Sequence, residues 1–267
     1  MNKMLQGGLL GIYRAVKATG VLNTSWGRRV FEKAYFVYKN RLEAGPVELL
    51  HTWVRPKTVV IDVGANVGFF TLHFASWVTE GGRVISLEPE SVNYESLRRT
   101  VVRAGLTAVV ETIQAAAADV TGKGFLQLNP AHPGDHRLGS AGVAVAMTTL
   151  DDLLSARGWP EVSLIKIDVQ GAEARVLVGA RQTLERFRPV LFLEVEDQKL
   201  AQFGSSATEL LTFCTECGYA IHAYGSGGVS APLSVAQAVS LADTQGYTDV
   251  LMLPISNSEQ VSRTFGY

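Results

Sequence analysis

The sequence predicts an α/β fold built on a mostly parallel, seven-stranded sheet with helices on both faces and a closing antiparallel strand. From residue 58 onward short apolar runs alternate with helix-like segments, which is typical of a parallel sheet. No clear helix separates the last two apolar runs, so the final strand is expected to be antiparallel at the sheet edge. The seven strand-like runs are residues 58–63, 83–88, 108–114, 162–169, 189–196, 219–224 and 248–254.

Composition and charge limit the class of protein. The 267 residues suffice for one domain plus an extension, and 47% hydrophobic with 18% charged residues is ordinary for a globular protein. A formal net charge of −1 gives no electrostatic reason to expect nucleic acid as a partner. No apolar run reaches the roughly 18 residues of a membrane span, and the N-terminus is a poor signal peptide. We therefore expect a cytoplasmic protein, whose oligomeric state is not readable.

Two units are expected along the chain. Residues 1–50 are predicted to form an N-terminal helical extension, in which basic and aromatic residues alternate. A helical cap is the favoured interpretation, and peripheral contact with an acidic membrane surface is the alternative. Residues 51–267 form the main domain, with an insertion at 122–149 that contributes to a binding pocket.

The helices between the strands carry boundary signals. One is predicted from Ser91 to 104, with Ser91 as its N-cap and Gly105 as its stop. Another is predicted from 173 to 187, ended by Arg188-Pro189.

The two cysteines stand three apart as Cys214-Thr-Glu-Cys217. This spacing is also that of redox and zinc motifs, but zinc needs four ligands and no second pair exists. The segment has helical periodicity, so structural packing of the thiols is favoured.

The first strand runs into a glycine-punctuated turn. Residues 58–63 suit a strand that is buried on both faces, and Gly64 and Gly68 allow the backbone to approach a ligand closely. Glu88 ends the next strand, where a carboxylate can accept hydrogen bonds from ribose hydroxyls. The spacing is G-x-N-x-G, which differs from the dinucleotide fingerprint G-x-G-x-x-G. A nucleoside-bearing cofactor is therefore expected here.

Charged residues also end the fourth and fifth strands. Lys166 and Asp168 share one face of their strand, as do Glu194 and Glu196. Because buried charge is costly, Lys166 is expected to pair with a neighbouring carboxylate, while Asp168 faces the pocket. The three acids could supply oxygen ligands, so a divalent metal is conceivable but not predicted. Glu173 begins the following helix, where the helix dipole alone could explain it.

Residues 122–149 interrupt the alternation with two short strand-like runs and a polar loop at 129–142. The loop is rich in titratable side chains, which suggests a functional role. The residues concerned are His132, Asp135, His136 and Arg137.

Taken together, these motifs resemble the FkbM-type methyltransferases, in order and spacing, from about residue 56 to 197. The matching stretches are Val60–Thr71, Val84–Glu90, Thr149–Leu153, Leu164–Glu173 and Arg188–Val195. The resemblance implies a Rossmann-like class I methyltransferase fold, S-adenosylmethionine as methyl donor, and a hydroxyl oxygen of a sugar or natural product as acceptor. Two departures are Gln170, where the family commonly has Glu, and Ala118, where Ser is common.

The resemblance also implies roles for individual residues. The methionine and ribose part of the donor would contact Asp62, Gly64, Ala65, Asn66 and Gly68, and Glu88 would hold the ribose hydroxyls. The stretch 116–119, through Ala117 and Asp119, would border the adenine.

The acceptor side is less well specified. An alcohol must lose its proton, and His136 or Asp168 is predicted to accept it. Acceptor contacts are predicted from Asp135, Arg137, Glu173 and Glu196.

Two other classes of function compete. A scaffold protein without turnover is disfavoured by the intact acid-and-glycine set from Asp62 to Glu88. An NAD-linked oxidoreductase is disfavoured by the glycine spacing.

Overall fold

A computed structural model describes residues 47–129, 136–225 and 227–255. Most of the predicted N-terminal extension therefore lies outside the described residues. So does the segment 130–135 of the polar loop, which includes His132 and Asp135.

The described residues form two sheets with helices around the larger one. The strands are β1 (Val59–Val63), β2 (Arg83–Leu87), β3 (Val110–Ile113), β4 (Ala116–Ala117), β5 (Gly122–Gln127), β6 (Arg137–Gly139), β7 (Val143–Thr148), β8 (Val162–Ile167), β9 (Val190–Val195), β10 (Tyr219–Gly225), β11 (Gly228–Val229) and β12 (Thr248–Pro254). After a 3₁₀ helix at Val47–Trp53, the helices are α1 (Phe69–Trp77), α2 (Ser91–Arg103), α3 (Leu150–Ser155), α4 (Glu173–Val178), α5 (Arg181–Phe187), α6 (Asp197–Ala201), α7 (Ala207–Glu216) and α8 (Val235–Gln245).

The main sheet has the strand order β11-β10-β12-β9-β8-β1-β2-β3. Strands β3, β2, β1, β8 and β9 are mutually parallel, and β12 is antiparallel to both of its neighbours. The predicted mostly parallel sheet with a closing antiparallel strand is confirmed. The expected position of that strand is wrong, because β12 lies between β9 and β10 rather than at the edge. The two-residue β11 adds an eighth strand.

The chain order reverses between β1 and β8, and both strands are buried along their whole length. Alternate side chains enter two separate apolar cores: Ile61 and Ile165 pack on one face, and Val60 and Leu164 on the other. In open parallel sheets such a reversal opens a crevice beyond the carboxyl ends of the strands, where ligands bind.

Three helix predictions need correction. The cap of α2 is Glu90, whose side chain accepts from the Asn93 N–H, and not Ser91. A helix missed by the sequence analysis, α8, lies between β10 and β12. It begins at a capping box formed by Ser234 and Gln237 and ends at Gly246 in the left-handed conformation.

The predicted helix over 173–187 is two helices, α4 and α5. The carboxylate of Asp151 accepts hydrogen bonds from the N–H groups of Gln182 and Thr183 and so caps the second helix. A Cβ atom on Gly179, between the two helices, would lie 2.0 Å from the carbonyl oxygen of Ala118. Long-range contacts therefore break the helix at a point that local periodicity does not mark.

The insertion at 122–149 contributes β5, β6 and β7 to a four-stranded sheet in the order β4-β7-β5-β6. Its inner face packs through Leu126 and Leu138 onto Ala118 and Ala172. Because Ala172 directly precedes α4, the small sheet lies against the turn that follows β8.

The cysteines have the structural environment expected for packed thiols. Both are free; Cys214 is buried in α7 and Cys217 is partly buried at its end. Burial raises the pKa of both thiols, which makes them poor nucleophiles near neutral pH.

Within the described ranges, no helix combines the length and the apolar character that crossing a bilayer requires.

The contact at Gly179 can be tested by adding one methyl group. Gly179→Ala should lower the free energy of unfolding by about 2 kcal/mol or more, because the new Cβ meets a backbone carbonyl that cannot rotate away. Gly225→Ala is the matched control, since neither glycine has a positive φ and, apart from its chain neighbours, no atom of the described residues lies within 4 Å of a Cβ at Gly225. It should change stability by less than about 0.5 kcal/mol in urea unfolding. Equal stability of the two variants would contradict the proposed clash.

Candidate functional site

Lys166 is the buried cation at the reversal point of the main sheet. Its side chain is 3% exposed, and Nζ donates to the carbonyl oxygens of Gly64 at 2.9 Å and Val63 at 3.3 Å. The ammonium also lies 3.4 Å from Oδ1 of Asp62 and 3.6 Å from Oδ2 of Asp168. Lys166 thus connects the end of β1 to the end of β8. It also forms the expected ion pair with a neighbouring carboxylate.

Asp62 lies beneath the glycine turn. Its side chain is fully buried, and Oδ2 accepts a hydrogen bond of 2.7 Å from the hydroxyl of Thr71 in α1. Among the described residues Oδ1 accepts no hydrogen bond and faces only the Lys166 ammonium. Through these contacts Asp62 stabilises the glycine turn from the interior of the protein.

The turn after β1 needs glycine for two reasons. Gly64 and Gly68 have φ values of 75° and 96°, which other residues adopt at a cost. A Cβ on Gly64 would also lie 1.9 Å from the carbonyl oxygen of Asp168. The neighbouring Ala65 is buried, and its N–H donates to the Leu87 carbonyl at the end of β2. The turn is therefore held close to both adjacent strand ends.

Glu88 follows β2 and lies beside this turn. Its Oε2 accepts from the Asn66 N–H at 2.8 Å and its Oε1 from the Glu90 N–H at 3.0 Å. Burial raises the pKa of Glu88 to about 7, although both N–H groups oppose the shift. Each carboxylate oxygen can accept more than one hydrogen bond, so Glu88 can still receive a pair of hydroxyl donors such as those of a ribose.

The residues predicted to border the adenine have other contacts. Ala117 is buried in β4, where it pairs with β7. The Asp119 carboxylate accepts from Nη2 and Nε of Arg175, at 2.6 and 2.9 Å. This ion pair connects the small sheet to α4.

Beyond the ends of β8 and β9 lies a cluster of partly buried charges. Lys199 of α6 places Nζ 2.6 Å from Oε2 of Glu196 and 3.3 Å from Oε1 of Glu194. Burial would lower the pKa of Lys199, but the two carboxylates outweigh it and the pKa is raised. The sequence analysis did not identify Lys199. Its i,i+3 spacing from Glu196, which is typical of an ion pair on a helix, could have indicated it.

The position of the Lys199 ammonium bears on whether Glu194 and Glu196 can act as metal ligands. In the described ranges no three His, Cys, Asp or Glu side chains are grouped to hold a metal ion. The Lys199 ammonium takes the position between Glu194 and Glu196 where a cation would sit, so these two acids are not arranged as metal ligands with Asp168.

Glu173 turns back into the loop before its own helix. Its side chain is buried, and Oε1 accepts from the N–H groups of Val169 at 3.1 Å and Gly171 at 3.2 Å. Burial raises the pKa of Glu173 to about 7, and the nearby charge of Glu194 adds to the shift. Its position is beneath the β8–α4 turn, where it fixes the backbone.

Asp168 is held in place and partly exposed, as are Glu194 and Glu196 at the same end of the sheet. Its side chain is 26% exposed, and Oδ1 accepts a 3.0 Å hydrogen bond from Nε2 of Gln170. Solvent access and fixed orientation are the properties required of a group that handles a substrate proton.

His136 and Arg137 lie at the start of β6. His136 Nδ1 accepts from the Asn129 N–H at 3.0 Å, so the neutral ring in this arrangement carries its proton on Nε2. Arg137 donates to the side-chain oxygen of Gln202, the residue that ends α6. The small sheet thus reaches the helix that carries Lys199.

The site has two parts at one edge of the main sheet. A glycine turn and Glu88 lie beyond β1 and β2, and a charged cluster lies beyond β8 and β9. Lys166 connects them through Asp62 on one side and Asp168 on the other.

Comparison with known proteins identifies relatives of this arrangement. Residues 62–221, more than half of the chain, match the model of the methyltransferase FkbM domain. The chain is 31% identical over 179 residues to the 31-O-demethyl-FK506 methyltransferase FkbM of Streptomyces tacrolimicus, covering 54% of this chain and 67% of that protein. It is 25% identical over 181 residues to the methyltransferase sdnD of Sordaria araneosa, covering 55% and 69%.

A solved structure of a methyltransferase FkbM from Methylobacillus flagellatus KT is also similar. Its TM-score is 0.47 at 18% identity, with 82% of this chain aligned. The chain spans about half, 53%, of that protein's length.

The raised pKa values predict how stability depends on pH. The folded protein holds the Glu88 and Glu173 protons more tightly than the unfolded chain, in which carboxyls titrate near their ordinary pKa of 4.5. Their stabilisation is complete below that pH and is lost as the pH rises through about 7. Each residue should contribute on the order of 3 kcal/mol.

Urea unfolding between pH 5 and 8.5 measures this loss. Glu88→Gln should remove about half of the pH dependence and the double variant with Glu173→Gln most of it, because an amide does not titrate in this range. If the free energy of unfolding of the variants depends on pH as it does in wild type, the raised pKa values are wrongly assigned to Glu88 and Glu173.

Proposed function

The chain belongs to the FkbM methyltransferase family, and on that premise we propose that it transfers a methyl group from S-adenosylmethionine to a hydroxyl oxygen of a sugar or natural product. The observation that carries the proposal is the buried Glu88 carboxylate beside the Gly64–Gly68 turn. The relative from Streptomyces tacrolimicus is named for methylating an oxygen of a natural product, which supports the proposed class of acceptor.

The donor would be held by the part of the site beyond β1 and β2. Glu88 would accept hydrogen bonds from the ribose hydroxyls, and the Gly64–Gly68 turn allows close approach to the backbone around Asn66. Asp62 supports this surface from below through Thr71 and Lys166. A neighbouring border for the adenine would come from the segment at 116–119.

When bound, S-adenosylmethionine supplies a methyl group already activated on a sulfonium, which leaves as the thioether once the new carbon–oxygen bond forms. The chain's own residues then have two tasks: orienting the acceptor hydroxyl and receiving its proton.

We assign to the Asp168 carboxylate the role of accepting the proton of the acceptor hydroxyl. This carboxylate is partly exposed, lies at the carboxyl end of β8, and is oriented from both sides by Gln170 and Lys166. His136 is the second candidate, but its Nδ1 is engaged by the Asn129 N–H. A neutral ring with its proton on Nε2 would act there as a donor rather than a base.

The acceptor would lie over the ends of β8 and β9. We propose that the insertion at 122–149 forms one wall of this pocket, since Arg137 contacts the end of α6. Within that wall, Arg137 would face the acceptor with Glu196; Asp135, which the sequence predicts as a further acceptor contact, lies outside the described residues. Glu173 would act by fixing the β8–α4 turn.

Donor binding should depend on the ionisation of Glu88. Because its pKa in the free protein is raised to about 7 and ribose hydroxyls favour the charged form, affinity for S-adenosylmethionine should rise from pH 6 to 8 with release of a proton. Calorimetry in buffers of different ionisation enthalpy measures both quantities. Glu88→Gln should weaken binding at least tenfold, by the loss of about 1.5–3 kcal/mol for a charged hydrogen bond, and remove the pH dependence. Tight, pH-independent binding by that variant would contradict the role of Glu88.

The two candidate bases can be separated by single-turnover assays with methyl-labelled donor and a panel of sugar and natural-product alcohols. Asp168→Asn should reduce the rate of transfer at least about 100-fold while donor affinity changes less than about threefold. His136→Ala is the comparison, expected to retain the rate within about tenfold. The opposite ranking would transfer the role to His136.

A further inference from the structure

Gln170 has an unusual backbone conformation for its residue type. Its φ is +59°, in the left-handed region, which a residue with a Cβ adopts less readily than glycine. The next residue, Gly171, is also left-handed at +108°. Strain of this kind persists where surrounding contacts impose it, and it concentrates at functional sites.

The strained conformation directs the side chain back toward the strand end. Nε2 of Gln170 lies 3.0 Å from Oδ1 of Asp168, two residues earlier. The other oxygen, Oδ2, lies 3.6 Å from the Lys166 ammonium. The two oxygens of Asp168 are therefore distinguished, one by an amide donor and the other by a charge.

The wider surroundings of Asp168 are charged on every side. Lys166 on β8 also pairs with Asp62 of β1. Lys199 on α6 interacts with Asp168 while pairing with Glu194 of β9 and with Glu196, which precedes α6. Among these neighbours, Gln170 contributes an uncharged hydrogen-bond donor to the Asp168 carboxyl.

We propose that Gln170 is a positioning residue, which orients the Asp168 carboxylate and keeps it ionised so that it can receive the proton of the acceptor hydroxyl. The inference rests on the proposed function. An amide N–H₂ group donates a hydrogen bond at any pH in the working range, and a bond to the charged form stabilises that form.

A carboxylate at position 170, which the family commonly carries, would have the opposite effect. Two carboxyls in this geometry repel and share a proton, or recruit a cation. Glutamine thus lets Asp168 act as a single, fixed carboxylate.

Three substitutions at position 170 separate the hydrogen bond from the strain. Gln170→Met keeps the length and the strained backbone but cannot donate. Gln170→Gly relieves the strain and also removes the donor. Gln170→Glu is nearly isosteric and replaces the donor by a like charge. Each is compared as the full-length protein, with urea unfolding as the check on folding.

The direct measurement is carboxyl-carbon NMR of aspartate-labelled protein with S-adenosylhomocysteine present, and Asp168→Asn identifies the signal. The titration midpoint of the Asp168 carboxyl should move to higher pH by about one unit in Gln170→Met and Gln170→Gly, and further in Gln170→Glu. The acid limb of the turnover rate should move in the same direction by the same amount, so that the rate on that limb falls about tenfold while donor affinity is unchanged.

The possible outcomes distinguish the positioning role of Gln170 from the proposed methyl transfer. Identical midpoints in wild type, Gln170→Met and Gln170→Gly would overturn the positioning role of Gln170, whatever the activity. Shifted midpoints in a protein that binds the donor but methylates no hydroxyl would retain the Gln170–Asp168 contact and overturn the proposed reaction. A loss of rate in Gln170→Met that Gln170→Gly restores would assign the effect to backbone strain and also overturn the proposal.

Discussion

The arrangement of the site depends on one buried ammonium group, that of Lys166. A charge removed from water is costly unless it is paired and hydrogen-bonded, and here two backbone carbonyls and the Asp62 carboxylate meet that requirement. To do so, the carbonyls of Val63 and Gly64 must point toward β8. This requirement fixes the path of the chain as it leaves β1, and with it the position of the glycine turn. The close approach of Gly64 to the Asp168 carbonyl follows from the same constraint.

Two further carboxyls hold the backbone on either side of this centre. Glu88 receives two N–H groups from the turns that follow β1 and β2, and Glu173 receives two from the turn that follows β8. Both are buried, and burial raises both pKa values to about 7. The two carboxyls differ in position. Glu88 lies beside the glycine turn, whereas Glu173 lies beneath the β8–α4 turn. Similar electrostatics therefore accompany a proposed ligand site in one case and a structural support in the other.

Sequence patterns predicted the features that depend on neighbours along the chain. The apolar run of β1, the glycine turn, Glu88 and the buried Lys166 were all identified, because strand periodicity and turn chemistry are local. The break between α4 and α5, the position of β12 and the role of Lys199 were not. The break and the strand position depend on distant partners, Asp151 and Ala118 for the break and β9 and β10 for the strand. Lys199 was missed although its partners Glu194 and Glu196 lie within five residues of it. The helix α8 is a different case, because its capping box and terminal glycine were visible in the sequence and were overlooked.

The interior position of β12 has a consequence for how the protein is made. This strand pairs with β9 on one side and β10 on the other, and it comes after both in the chain. While a ribosome is still adding residues 248–254, the nascent polypeptide presents β9 as an open sheet edge and β10 without its main partner. Unpaired strand edges are sites where chains associate wrongly. The sheet is completed only after β12 has emerged, so protection of the β9 edge by chaperones would matter until that segment is available.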